Sequence, residues 1–389
     1  MSIISTDSLI SSLRVAIRER EVIDLARSLV RLESPSGDVE GSRAVVDLLA
    51  SEARKIDAVV NIERIVSPNF GEHLRISTFA NREETDGTLL LVGHTDTVHP
   101  RGSLAQNALR TEGVRLYGPG IFDMKANCAL ALEALRACSI TGALPKSEVV
   151  LLLTCDEETG SINGGRELVE REAQRARLAL VLEPAAPGGR VKTGRKGTGM
   201  FTITVHGRAA HAGLDPEKGA SAILEIARQI ERLHNLSDAR YGTTVNVGVV
   251  QGGTRSNVVA AEAYAEIDVR FTTNDEARRL ESEIKNAPSF DPRVRVEVTG
   301  GVNRPPLERN EKVLALYEKA RAIASQLKFD LGETQVGGAS DANFIAALGV
   351  PVLDGLGLEG GGAHAVHEHI MVDNIIQRGA LIAGLIALL

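Results

Sequence analysis

The sequence predicts an α/β protein: a mixed, mostly parallel sheet covered by helices, interrupted by a smaller inserted α+β unit. Three observations carry this expectation. Short, solidly apolar runs at 88–92, 149–153 and 178–182 end abruptly in polar residues, as strands buried on both faces do. Between about 198 and 300 the texture changes to strict alternation, the mark of strands with one solvated face. The solid apolar texture then returns at 350–353. A chain of 389 residues has room for two or three domains.

The elements follow in order. Leu25, Leu29, Val30 and Leu32 fall at helical spacing, and Ser34-Pro35-Ser36-Gly37 stops the pattern, so residues 8–32 read as helix. The strand 88–92 ends at Gly93-His94. A helix is expected over 124–138. The strand 149–153 runs into Thr154, and 178–182 ends at Glu183. In the alternating region four strands are expected around Phe201-Ile203-Val205, Val245-Val247-Val249, Ala263-Ala265-Ile267-Val269 and Val294-Val296-Val298. Helices at 217–234 and 275–285 complete a β-α-β-β-α-β order, the split-βαβ arrangement. After Arg304-Pro305-Pro306 come a helix at 312–325 and the strand 350–353. The division expected is therefore 1–196 with 304–389 as one domain and 197–303 as the insertion.

Composition narrows the function classes. Hydrophobic residues make up 43% and charged residues 24%, which supports a packed core and excludes disorder as the main state. Lys and Arg number 44 against 51 Asp and Glu, a net charge of −7; no basic surplus exists to neutralise phosphates, so a nucleic-acid partner is not expected. The longest apolar runs are too short to cross a bilayer, and the first nine residues lack the basic start and apolar core of a signal segment. Cys128, Cys138 and Cys155 show no CxxC spacing. Together these predict a cytoplasmic protein in a reducing compartment.

The polar residues at strand ends carry the chemistry. His94 and Asp96 stand in Gly-His-Thr-Asp-Thr, Asp123 in Gly-Pro-Gly-Ile-Phe-Asp-Met-Lys, and Glu157 with Glu158 in Thr-Cys-Asp-Glu-Glu-Thr-Gly. Glu183 follows in Leu-Glu-Pro, and His364 in Gly-Gly-Gly-Ala-His-Ala-Val-His-Glu-His. In open α/β sheets the functional crevice lies at the carboxyl ends of strands. Carboxylates and imidazoles without thiolates suit Zn²⁺, Mn²⁺ or Co²⁺ in a hydrolytic site. One catalytic zinc takes about three protein ligands; a larger set suits two ions sharing a carboxylate.

At these stretches the chain resembles the zinc-dependent aminoacylase and carboxypeptidase family, which includes glutamate carboxypeptidases, acetylornithine deacetylases, succinyl-diaminopimelate desuccinylases and tripeptidases. The resemblance extends through Gly207-Arg208-Ala209-Ala210-His211-Ala212-Gly213, Gly253-Thr254-Arg255-Ser256-Asn257, Asp268-Val269-Arg270 and Gly338-Ala339-Ser340-Asp341-Ala342. It is strongest to the bacterial glutamate carboxypeptidases, although these often carry Asp where this chain has Glu183. The resemblance implies a discontinuous catalytic domain with an inserted dimerisation or lid domain, and two divalent ions per chain, zinc foremost. It implies His94, Asp123, Glu158, Glu183 and His364 as ligands, with Asp123 bridging. Asp96 would hold the other ring nitrogen of His94, and Glu157 would be the general base. His211 would reach the active site of a partner subunit in a homodimer and stabilise the oxyanion. Asn257, Arg270, Arg304 and the Gly338 loop would bind the substrate.

The function expected is a two-metal metallopeptidase that releases a C-terminal amino acid, glutamate or a similar acidic residue. The alternative is an N-acyl amino acid deacylase of the acetylornithine deacetylase type. An alternative of another class is a non-catalytic binding protein on the same fold.

Overall fold

The computed structural model describes residues 6–80 and 87–389. The reading of the first nine residues as lacking a signal segment falls partly outside this range. The chain divides into two compact units.

The larger unit comprises Met1–Thr193, Arg309–Gln335 and Ser340–Leu389. Its sheet has six strands in the order Val59–Ser67, Gly71–Thr78, Val149–Thr154, Thr88–His94, Ala176–Val181 and Val352–Leu353. The last four run parallel to one another, and the first two form an antiparallel edge. Thr88–His94 and Val149–Thr154 are buried along their whole length, which explains their unbroken apolar runs. The helices Ala126–Thr141 and Ile375–Leu388 are apolar nearly all round and correspondingly buried. They lie against each other, with the Cys138 thiol donating to the Ala383 carbonyl at 3.3 Å.

Several boundaries differ from the sequence expectation, each for a tertiary reason. Residues 8–32 form two helices, Thr6–Ala16 and Glu19–Arg31. Arg18 is extended between them because Glu133, from a distant helix, accepts both its backbone N–H and its guanidinium. The helix expected from 124 begins at Ala126 and runs to Thr141; Asp123 and Met124 have non-helical backbones. The helix expected from 217 begins at Ala222, where the Ser221 hydroxyl caps the Leu224 N–H at 3.2 Å. Only Val352–Leu353 of the stretch 350–353 is strand.

The smaller unit comprises Gly194–Glu308 and Val336–Ala339. Its four-stranded antiparallel sheet has the order Thr244–Gly252, Glu262–Phe271, Gly197–His206, Arg295–Arg304. With the helices Ala222–His234 and Asn274–Lys285, the chain order is β-α-β-β-α-β. Phe201, Ile203, Val205, Ala265, Ile267 and Val269 line a separate core with Ile226, Leu233, Leu280 and Ile284 of the two helices. The alternation is thus the signature of a sheet with helices on one face only.

Candidate metal centre

The larger unit gathers its acids and imidazoles at the carboxyl ends of its parallel strands. His94 closes the strand Thr88–His94, and Asp96 follows it. Glu157 and Glu158 stand on the turn after Val149–Thr154, and Glu183 stands just after Ala176–Val181. Asp123 sits in the irregular turn before Ala126, and His364 in a loop near the C-terminus. Ligand atoms of His94, Asp123 and Glu158 all lie within 4.8 Å of one another.

Asp123 occupies the middle. Its Oδ1 is 3.1 Å from His94 Nε2, and its Oδ2 is 3.5 Å from His364 Nε2. Each imidazole has a further acid of its own: Glu183 Oε1 lies 3.5 Å from His94 Nε2, and Glu158 Oε2 lies 3.2 Å from His364 Nε2. The result is two donor sets, His94–Asp123–Glu183 and His364–Asp123–Glu158, joined by one carboxylate. The other Glu158 oxygen, Oε1, is buried with no hydrogen-bond donor.

The electrostatics follow from this crowding. Burial alone would lower the pKa of His94, but the carboxylates of Asp123, Asp96 and Glu183 raise it well above the ordinary value. His364 is pushed up to about 10, first by Asp123 and then by Glu158. Burial would raise Asp123, yet the two imidazoles hold its carboxyl below the usual range. Burial raises Glu158 in spite of His364. Three converging carboxylates and an orphaned buried oxygen call for positive charge at this spot. The donor set, nitrogen and oxygen without sulfur, fits divalent cations of the zinc, manganese or cobalt kind.

Asp96 does two things at once. The His94 Nδ1–H donates to the Asp96 backbone carbonyl at 3.0 Å, with the Asp96 carboxylate 3.4 Å away. That contact keeps a proton on Nδ1 and orients the ring so that Nε2 faces Asp123, the nitrogen free to serve as a ligand once its own proton is given up. The Asp96 carboxylate also accepts the backbone N–H groups of Glu157 and Glu158, both at 3.2 Å, and the Ser36 hydroxyl at 2.6 Å. One buried acid therefore links the ring of His94 to the turn that carries Glu157.

The chain is similar to known proteins along most of its length. Residues 90–388 match the model of peptidase family M20/M25/M40. Carboxypeptidase G2 of a Pseudomonas species is 32% identical over 374 residues, covering 94% of this chain and 88% of the relative. Acetylornithine deacetylase of Myxococcus xanthus is 30% identical over 331 residues, covering 77% and 79%. The crystal structure of an aminopeptidase from Bacillus cereus shares the fold, with a TM-score of 0.81 at 22% identity over 96% of this chain and 99% of that one.

The chain belongs to peptidase family M20/M25/M40.

It is a hydrolytic enzyme, which removes the reading of the fold as a non-catalytic binding protein. Among the described residues, no helix is long and apolar enough to cross a membrane.

The remaining expected site residues lie in the smaller unit of this peptidase. His211 is exposed in a loop bridged to Val258. Its Nδ1 accepts the backbone N–H groups of Gly213 and Leu214, both at 3.1 Å. In the neutral ring the proton therefore resides on Nε2, which is left as a donor. Asn257 lies beside it, its backbone carbonyl accepting the Ala212 N–H at 2.9 Å. Arg270 and Arg304 both pair with Thr198, from the two strands that flank Gly197–His206, so they share a face about 10 Å apart, two strand spacings. Arg270 makes a bidentate pair with Asp268, both contacts at 2.8 Å, and Arg304 is buried. The Gly338 and Ala339 carbonyls both accept from Arg195 Nη1, at 3.0 and 3.2 Å.

Sequence reasoning missed Glu368. This acid is fully buried and accepts the backbone N–H groups of Gly120, Phe122 and Asp123. It stood in the quoted His-rich stretch, but an acid beside histidines gives no local sign of burial. Of that stretch's other histidines, His367 is exposed and His369 lies against the Tyr117 ring, centroids 5.0 Å apart.

The Asp123 turn also needs Gly120, which has φ +68; a Cβ there would lie 2.2 Å from Thr97 Cγ2. Gly142 has the same φ with open space around it. Gly142→Ala should therefore cost only the backbone term, roughly 1–2 kcal/mol, and Gly120→Ala distinctly more. Urea unfolding at constant slope checks this; equal losses would refute the steric account.

Proposed function

We propose that this peptidase is a two-metal carboxypeptidase that hydrolyses the amide linking an acyl or peptidyl group to a C-terminal amino acid, glutamate or a similar acidic residue. One observation carries the two-ion reading: the two oxygens of Asp123 face different imidazoles, each with its own further carboxylate. His94, Asp123 and Glu183 would hold one ion, and His364, Asp123 and Glu158 the other. When bound, such ions supply Lewis-acid polarisation to the scissile carbonyl and to water.

The side chains have distinct tasks. Glu157 stands next to a ligand on a turn held by Asp96. As general base it takes a proton from the attacking water and passes it to the leaving amine. Asp96 orients His94 and that turn together. His211 presents its Nε2–H to the developing oxyanion. Arg270, Arg304 and Asn257 bind the free carboxylate, for which a guanidinium is the natural bidentate partner, and the Gly338 loop flanks the substrate. The 32% identity to carboxypeptidase G2 supports C-terminal release. The deacylase reading is supported by the 30% identity to acetylornithine deacetylase; the two differ in what occupies the acyl side of the amide.

We further assign a homodimer through the smaller unit, with His211 of the partner subunit completing each site. Its edge strand Thr244–Gly252 exposes Val249 and Val250, and the helix Ala222–His234 exposes Ile223 and Leu224. The three free, buried thiols are in keeping with a reducing cytoplasm.

A panel of peptidyl and N-acyl amino acids, varied at the released residue, tests the activity. Glutamate release is expected, lost on chelation and restored by Zn²⁺, Mn²⁺ or Co²⁺. Turnover that survives exhaustive chelation, or uptake of well under two ions per chain, would refute it. Preference for acetylated amino acids would favour the deacylase.

Glu157→Ala should lower kcat by on the order of 10²–10⁴, the usual worth of general acid–base catalysis, with metal content near wild type. Loss of metal would instead make Glu157 a ligand.

His211→Ala should be nearly inactive yet fully metal-loaded. Mixed with Glu157→Ala under subunit exchange, it should regain about a quarter of wild-type activity. Half the dimers are then mixed, and each has one intact site, as twofold geometry requires. No recovery despite demonstrated exchange would assign His211 to its own chain.

A further inference from the structure

We propose that Glu368 is a positioning residue of the metal centre: its carboxylate ties together the backbone segments that carry His94, Asp123 and His364. The proposal rests on the two-ion reading above. Glu368 is 0% exposed. Its Oε1 accepts the N–H groups of Phe122 at 2.8 Å and Asp123 at 2.9 Å. Its Oε2 accepts the Gly120 N–H at 2.8 Å and lies 2.5 Å from His99 Nε2. The Glu368 backbone carbonyl accepts the Gly118 N–H at 3.2 Å.

These contacts join three stretches far apart in sequence. His99 lies five residues beyond His94, on the loop that also carries Asp96. Gly120, Phe122 and Asp123 form the irregular turn that offers the shared carboxylate. His364 precedes Glu368 by four residues and has φ +64, a backbone state that needs support from its surroundings. Two carboxylate oxygens meet four donors, so the group is saturated. The amide hydrogens it holds are those that a regular helix through Asp123 would direct elsewhere. An amide side chain cannot reproduce this, because its NH₂ end would face an N–H of the turn.

The test uses chelator-stripped protein titrated with Zn²⁺ against a chromophoric competitor, and with Co²⁺ to record the ligand-field spectrum. Glu368→Gln should keep the wild-type circular dichroism. The weaker-bound of its two ions should lose roughly 10–100-fold in affinity, the usual effect of removing a group that orients a ligand, with an altered Co²⁺ spectrum. His99→Ala, which removes one donor and keeps the carboxylate, should show a smaller loss of the same kind, and it carries the test if the Gln variant does not fold. Wild-type affinity for both ions with an unchanged Co²⁺ spectrum overturns the proposal. So does a lower melting temperature of the metal-free protein with unaltered ion binding, the result of a merely structural role. If wild-type protein itself takes up fewer than two ions, the two-ion reading fails instead.

Discussion

The Asp123 carboxylate stands between two imidazoles, 3.1 Å from one and 3.5 Å from the other, and the surrounding architecture is arranged to keep it there. A regular helix through this residue would not bring both oxygens to face outward in this way. Asp123 and Met124 accordingly leave helical geometry after the left-handed Gly120, and each departure has a neighbour that makes it tolerable. Gly120 supplies a positive φ where a Cβ would strike Thr97, and Gly93 leaves room for Met124, whose Cε would lie 2.5 Å from any added Cβ. Glu368 takes up the amides that the turn leaves over.

The same site gathers acids with two different tasks. Asp123, Glu158 and Glu183 point at imidazoles, whereas Asp96 and Glu368 point mainly at backbone N–H groups. Amide hydrogens stabilise a buried carboxylate without bringing a competing cation into the pocket. The acids aimed at imidazoles therefore remain the ones that call for metal charge. The buried, donor-less oxygen of Glu158 has its sense in this division.

Much of the fold was legible because its signals are local. Unbroken apolar runs mark strands covered on both faces, and alternation in the smaller unit marks a sheet with helices on one face only. The antiparallel strand Gly71–Thr78 was not legible. It is buried throughout although it carries Glu72, His73 and Arg75. Burial lowers the pKa of His73 to about 4 and so favours its neutral form, and the two charges are matched by partners on other elements: Arg75 meets Glu63 and Glu172, and Glu72 meets Arg43 and Arg64. No pattern within the strand announces such pairing. The break at Arg18 is hidden for the same reason, since the acid that causes it lies 115 residues away.

For the site, the sequence by itself determined the order of the elements and the chemistry at the strand ends. Residue type and period are properties of short stretches, and hydrolytic metal chemistry draws on few donor types. The tertiary structure alone decided which acid faces an imidazole and which faces an amide, which ring nitrogen of His94 and of His211 keeps its proton, and where the helix at Asp123 gives way. Those outcomes depend on hydrogen-bond partners that the fold brings together, in the case of His99 and Glu368 from 269 residues apart.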